Sequence, residues 1–196
     1  MEEIYHTFKP SFVTHHKKKH AEVEFRLGKV HGNRFDSDVG KAQFDRMVVA
    51  LEKYKGWESI ENCEYDVYSG ADNFRTTIFE EDDRRESIVK KRLVNKNYKT
   101  KGMPFDVRMS ISTEVPAEET GDEEYEATFH KKRKSYVRKG LRIDMTEVTG
   151  DAQDIDAENS TQYQVEFEIM DPTNTDEGHQ FRNHVQKVGD LMKCVS

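Results

Sequence analysis

Eight stretches of this chain alternate polar and apolar residues with a period of two, and their polar positions are dense in charge. They span 21–30, 59–68, 74–80, 87–94, 105–115, 124–137, 141–148 and 163–169. Successive side chains of a β-strand point to opposite faces, so this period predicts strands. Gly, Asn and Asp clusters between the runs supply turn chemistry, and the short spacings favour antiparallel neighbours. Two segments depart from the period. Phe44, Met47, Val48, Leu51 and Tyr54 follow helical spacing within 38–55, with Gly56 as a stop. Phe181, Val185, Val188 and Leu191 or Met192 share one helical face within 178–195. Residues 1–19, which run into the HHKKKH of His15 to His20, predict a flexible, solvated arm. The acidic stretches 118–126 and 151–158 predict loops. The chain of 196 residues fits one mainly β (α+β) domain. Eight strands are enough to close an antiparallel barrel, supported by a few helices, which removes exposed sheet edges.

Composition limits what can fill such a barrel. Hydrophobic residues make up 34% and charged residues 35%, with a mean hydropathy of −0.94, near the range of chains that cannot fold. The apolar residues are patterned, so the expectation is a folded chain with a polar interior. A net charge of −7 excludes a protein that coats nucleic acid through bulk charge. An anionic partner needs a local basic pocket. Cys63 and Cys194 read as free thiols. The opening MEEIYHTFKP lacks the pattern of a leader and no apolar run reaches membrane-spanning length, which predicts an intracellular protein without a membrane partner. No phosphate-binding G-x-x-x-x-G-K-[ST] loop and no Cys/His zinc spacing occur. His15, His16 and His20 sit among Lys17 to Lys19, where repulsion favours solvent over a metal site, and Trp57 beside the helix stop reads as a packing residue.

The polar faces of the strands are sorted by sign. Glu22, Glu24 and Arg26 share a face opposite Val23, Phe25 and Leu27. Gln164, Glu166 and Glu168 do the same opposite Val165, Phe167 and Ile169. Arg142, Asp144 and Thr146 form a third face, Lys131, Arg133 and Ser135 a fourth, and Arg108, Ser110, Ser112 and Glu114 a fifth. Taken one strand at a time, a polar face turned to solvent accounts for each pattern. As a set they fit that less well, because solvated faces intersperse Lys and Glu. Carboxylates on the first and last strands and cations on 131–135 suit a tunnel that holds a divalent metal beside a polyphosphate. The apolar faces then point outward, beneath the two helices.

Residues two apart on a strand lie roughly 7 Å apart on one face. Two such Glu pairs on neighbouring strands can converge oxygens on Mg²⁺ or Mn²⁺, which favour carboxylate, water and phosphate oxygens. Facing Arg and Lys can grip phosphoryl oxygens, and a further carboxylate can orient the attacking water. A lone E-x-E is a weak signal; two pairs with K-x-R-x-S and R-x-D-x-T in this order are far more specific.

The ordered set EVEFRLG (22–28), FRTT (74–77), KKRL (90–93), SISTE (110–114), KKRKSY (131–136), RIDMT (142–146) and QVEFE (164–168) resembles the triphosphate tunnel metalloenzymes. Within them it is most similar to the RNA 5′-triphosphatases of fungal and large-DNA-virus mRNA capping systems, with the compact size of the chlorella-virus type. The resemblance covers about residues 21–170. It implies a closed eight-stranded antiparallel tunnel that removes the γ-phosphate of 5′-triphosphate RNA with Mg²⁺ or Mn²⁺. It implies metal binding by Glu22, Glu24 and Glu168, indirect support from Asp144 and Glu166, and water orientation by Glu114. Lys131, Arg133 and Arg75, with Lys91, would hold the γ-phosphate, and Arg142 and Thr146 would brace the acidic side chains. NTPs are implied as substrates in vitro and a capping guanylyltransferase as a partner, within a nucleus or, for a virus, a host cell. Relatives that hydrolyse inorganic polyphosphate or thiamine triphosphate, and a non-catalytic module that binds polyphosphate or an RNA end, are the alternatives. The chain departs from the family's E-x-E-x-E at Gln164, which is expected to bond a neighbouring Arg or Lys of the tunnel wall.

Overall fold

Pairing between the first long strand and the last turns the sheet into a closed ring. The computed structural model describes residues 1–121, 124–150 and 161–196. Its strands are β1 (Ala21–His31), β2 (Arg34–Asp36), β3 (Ser59–Gly70), β4 (Phe74–Phe79), β5 (Arg85–Tyr98), β6 (Asp106–Pro116), β7 (Tyr125–Arg138), β8 (Leu141–Thr149) and β9 (Gln162–Ile169). Around the ring the order is β1-β6-β5-β4-β3-β7-β8-β9, closed by β9 on β1. Every neighbouring pair is antiparallel. The short β2, which the alternation does not reveal, folds back on the end of β1 as a hairpin.

Register decides what fills the ring. Glu24 lies opposite Ser110 on one side and Glu168 on the other, and Arg26 opposite Arg108 and Glu166. Asp144 lies opposite both Glu166 and Ser135, and Thr146 opposite Gln164 and Arg133. Since cross-strand partners share a face, the five polar faces named above all turn inward together. The alternate residues Val23, Phe25, Leu27, Val165 and Phe167 have no solvent exposure and lie on the outside, beneath the helices.

The helices cover that outer apolar face. They are α1 (Glu2–His15), α2 (Lys41–Lys53) and α3 (His179–Lys193). The α2 stripe of Phe44, Met47 and Leu51 and the α3 stripe of Phe181, Val185, Val188, Leu191 and Met192 are buried as helical spacing requires. Tyr54, expected to extend the α2 stripe, is extended backbone just past the helix end. No helix among the described residues is long and apolar enough to cross a membrane.

Residues 1–15 correct the expectation of a flexible arm. They form α1, with Ile4, Tyr5, Phe8 and Phe12 buried. Phe12 stacks on Phe181 of α3, with ring planes 5° apart, and the Phe25 ring lies 6.3 Å from that of Phe181. Pro10 inside the helix and the lysine run after it mask the stripe in the sequence, because Pro ordinarily disrupts helix interiors. Lys17, Lys18 and Lys19 are exposed as expected, whereas His16 is fully buried. Residues 117–121 carry neither helix nor strand, Tyr125 and Glu126 belong to β7, and the expected loop at 151–158 lies outside the described residues.

Phe12→Ala separates a core helix from an arm. Truncating a fully buried aromatic costs about 3–5 kcal/mol, whereas the arm expectation gives a change near zero. Urea denaturation of the two proteins, with unchanged slope, measures the difference.

Candidate active site

The carboxylate side of the tunnel is built by β1, β9, β8 and β6. Glu22 and Glu24 sit two apart on β1, with Glu168 directly across from Glu24 on β9. Mutual proximity shows in their protonation. Burial pushes the Glu168 carboxyl up to about 7, and the Glu22 and Asp144 charges add to it against the opposing pull of Arg142. Burial also raises Glu24, offset by Arg26 and reinforced by Glu166 and Glu22. Each acid has a cationic partner. Lys90 Nζ lies 2.5 Å from Glu22 and 2.9 Å from Glu114. Arg142 donates Nη2 to Glu168 at 2.5 Å and Nε to Asp144 at 3.1 Å. Ser135 donates to the other Asp144 oxygen at 2.6 Å. Arg26 bridges Glu24 and Glu166.

The cation side is built by β7 and β4. Arg133 lies 3.2 Å from Asp144 and 3.5 Å from Glu166, with Thr146 Oγ1 accepting from its Nε at 3.3 Å. Its guanidinium also covers the Tyr65 ring at 5.3 Å. Against burial, Arg26, Arg133 and Lys131 hold the Glu166 carboxyl down at about 2. Lys131 differs from the rest. Among the described residues it has no carboxylate at ion-pairing distance, and Arg133, Arg26 and Arg75 all act on its charge. Desolvation and these cations outweigh the opposing pull of Glu166 and bring its ammonium down to about 8. Lys131 retains some accessible surface although protein surrounds it, because that surface faces the bore of the tunnel. A deep ammonium among guanidiniums calls for an anion from outside the chain.

The structure brings Glu22, Glu24, Glu114, Glu166, Glu168, Asp144, Lys131, Arg133, Arg142 and Thr146 to one tunnel, with Arg75 on the inward face of β4. It corrects three expectations. Lys91 pairs with Thr113 on the outward face of β5 and is exposed; the tunnel lysine is Lys90, across from Glu114. Strict alternation contained this signal, since Val89 and Leu93 place Lys91 on the apolar side of the run. Thr146 braces the cation Arg133, while Ser135 and Arg142 hold the acid Asp144. Gln164 bonds no Arg or Lys: its Nε2 donates to Ser37 Oγ at 3.4 Å and to Gln162 Oε1 at 3.3 Å. Arg26, noted in the sequence only for its face, is the central cation between β1 and β9.

A second group of metal-type ligands lies on the outside. Glu64, Glu80 and His130 offer ligand atoms within 4.8 Å of one another. His130 presents Nδ1 to Asp66 at 2.9 Å and Nε2 to Glu64 at 3.0 Å. The hydrogen bond to Asp66 leads in raising its pKa, and the ring clamps β3 to β7.

A family model described as "mRNA capping enzyme, beta chain" matches residues 68–195, more than half of the chain. The chain belongs to that family. The mRNA-capping enzyme subunit beta of Cryptococcus neoformans is 30% identical over 88 residues, which cover 44% of this chain and 22% of that protein. The chain thus spans under a quarter of that curated relative. The Schizosaccharomyces pombe Pct1 RNA triphosphatase superposes over 100% of this chain and 93% of its own, with a TM-score of 0.82 and 19% identity. It has also been solved in complex with the Spt5 CTD. The Mimivirus capping enzyme triphosphatase covers 100% and 98%, with a TM-score of 0.66 and 13% identity. At these identities the two structures establish the fold.

Lys131 gives the pocket a testable pH response. Its ammonium is charged below about 8 and neutral above, so anion binding is strong at neutral pH and weakens as pH rises through that value. Calorimetric titration of tripolyphosphate without divalent metal, between pH 7 and 9.5, should show this step. Lys131→Arg, which stays charged, should remove it.

Proposed function

We propose that this chain hydrolyses the γ-phosphate of a 5′-triphosphate RNA end to leave a 5′-diphosphate, the first step of mRNA capping. The observation that carries the reading is the facing of two charge sets in one bore: Glu22, Glu24 and Glu168 against Lys131 and Arg133. Family membership supports it.

Glu22, Glu24 and Glu168 fit a hard divalent cation, Mg²⁺ or Mn²⁺. Burial raises the carboxyls of Glu24 and Glu168, and the Glu22 charge acts on both, so the three form a donor set whose repulsion a cation relieves. When bound, such an ion neutralises charge on the phosphoryl oxygens. The remaining work falls to the chain. Lys131, Arg133 and Arg75 bind the γ-phosphate oxygens and hold the phosphoryl group in place for in-line attack. Glu114, fixed by Lys90, orients the attacking water and takes its proton. Arg26 and Arg133 keep Glu166 ionised, and Arg142 with Ser135 fixes Asp144, so the acidic wall keeps its charge and orientation. None of these groups reads a base, so NTPs and inorganic tripolyphosphate should also turn over. The product is the end that a guanylyltransferase consumes, so such an enzyme is the proposed partner, and a nucleus or a virus-infected cell the proposed setting.

Release of γ-labelled phosphate from triphosphate RNA, ATP and tripolyphosphate with Mg²⁺ or Mn²⁺ tests the proposal. Activity should vanish with EDTA. Glu168→Ala and Lys131→Ala should each lower kcat by about a hundredfold or more, near 2.7 kcal/mol of barrier, with circular dichroism unchanged. Full turnover by Glu168→Ala would falsify the metal assignment. A chain that binds triphosphate RNA but releases no phosphate is a binding module.

Gln164 offers a second check. It sits across from Thr146 and bonds Ser37, remote in register from Glu168, so it lies outside the carboxylate set. Gln164→Glu should change turnover by less than about tenfold, under roughly 1.4 kcal/mol. Recovery of activity by orders of magnitude on that substitution would instead mark the natural chain as inactive.

A further inference from the structure

One mouth of the tunnel carries a basic lip. The antiparallel ring sends β1, β3, β5 and β8 one way and β4, β6, β7 and β9 the other. The β1–β2 and β5–β6 turns therefore share one mouth, and the β4–β5 turn belongs to the other. Residues 92–105 contain Arg92, Lys96, Lys99 and Lys101 and no carboxylate, and all four cations are exposed. Lys29 and Arg34 of the neighbouring hairpin are exposed beside them. At the opposite mouth the β4–β5 turn carries Glu80, Glu81, Asp82 and Asp83, all exposed.

The basic lip is a built structure. β1 and β6 stay paired out to Gly28 and Asp106. The Asp106 carboxylate accepts from Val30 N at 2.9 Å and from Thr100 N at 3.0 Å, which ties the two turns together. Phe35 of β2 folds over Gly28 so closely that a Cβ there would meet its ring at 2.6 Å. The Arg108 guanidinium lies 4.5 Å above the Phe35 ring and donates to Asn97 Oδ1 at 2.9 Å. Arg108 and Arg92 face the bore, and the charges of Arg26 and Arg92 both act on Arg108. Cations thus continue from the exposed lip to Arg108 and then Arg26, whose charge acts on both Arg108 and Lys131, with Arg92 deeper, across from Ser112. A solvated lysine loop accounts for the exposed residues but not for guanidiniums continuing inward.

We infer that the lip formed by the β1–β2 and β5–β6 turns binds the phosphodiester backbone of a single-stranded RNA behind its triphosphate. The inference rests on the triphosphatase reading for the end group and adds the path of the chain. Each phosphate neutralised by a cation releases counterions, so the affinity is salt-dependent and independent of sequence.

The test compares the natural chain, a triple variant Lys96→Glu, Lys99→Glu and Lys101→Glu, and a control with Lys17, Lys18 and Lys19 changed to Glu. The control lysines are exposed on the turn before β1, at the far end of that strand. One arm measures kcat/KM on a 5′-triphosphate decamer RNA relative to inorganic tripolyphosphate. The second measures binding of the labelled decamer by fluorescence anisotropy without divalent metal, from 50 to 300 mM KCl. The lip variant should lower the RNA-to-tripolyphosphate ratio by about tenfold or more, and reduce the slope of log affinity against log salt by about 2, near 0.7 per lost phosphate contact. The control should change neither. Equal RNA binding and salt slope in lip variant and natural chain overturn the inference, even with catalysis intact. Loss of turnover on all substrates by the natural chain, with lip-dependent RNA binding preserved, overturns the triphosphatase reading and supports the lip. Binding of polyglutamate at the lip with RNA affinity unaffected by the triple variant makes the lip a protein-docking surface and overturns the inference.

Discussion

Everything in this fold depends on charge neutralisation inside the ring. A closed barrel must fill its interior, and here the filling is carboxylates and cations on alternating walls. Removing an ion from water is expensive, and an unpaired buried charge is worse than a buried pair. The network meets that cost by sharing: Lys90 serves Glu22 and Glu114, Arg26 serves Glu24 and Glu166, and Arg142 serves Glu168 and Asp144. A one-residue slip in any strand would turn its charges into the apolar shell under the helices, so electrostatics and hydrophobic burial specify the same register. Little of this polar interior contributes to stability, which leaves cohesion to the outer layer. Phe8, Phe12, Phe25, Phe167 and Phe181, all fully buried, supply it.

That division explains what the sequence made legible. Long strands with one charged and one apolar face are visible in alternation alone, and their inward orientation follows from the sorting of sign. The elements that escaped lack such a face. β2 has three residues, too few for a period, and α1 carries its stripe across a proline and into a lysine run. The site was readable wherever the residue type itself names the chemistry, as at Glu22, Glu24 and Glu168. It was less readable where two adjacent residues share a type. Lys90 and Lys91 are equivalent as letters, and the choice of Lys90 lay in the alternation of Lys91 with Val89 and Leu93, which the register bears out. The bracing partners Ser135 and Thr146 were harder still, because a hydroxyl fits either sign and its role depends on which strand it faces.

The same logic separates working charge from structural charge. Salt bridges alone do not mark an active site, and the clamp of His130 between Glu64 and Asp66 shows the point: it joins two strands on the outer wall with its partners satisfied. In the tunnel the balance is left incomplete at two places. Burial and the charges of Glu22 and Asp144 raise the Glu168 carboxyl despite Arg142, and burial with the neighbouring guanidiniums depresses the Lys131 ammonium despite Glu166. One place has room for a further cation and the other for a further anion. A metal–polyphosphate complex supplies both together, so the ligand completes the electrostatics that the fold leaves open.

Incomplete balance also gives the tunnel a direction. Positive charge continues from Lys131 through Arg26 to Arg108, toward the basic β5–β6 turn. A polyanion at that lip therefore meets attraction before it touches any reacting group. For a chain of net charge −7, such focusing must be local, since the mean field opposes the substrate. Within a Debye length of about 8 Å at physiological salt, only charges lining the path count. Closely placed cations along that path, and not the total charge of the chain, then set the local field that a polyanion meets.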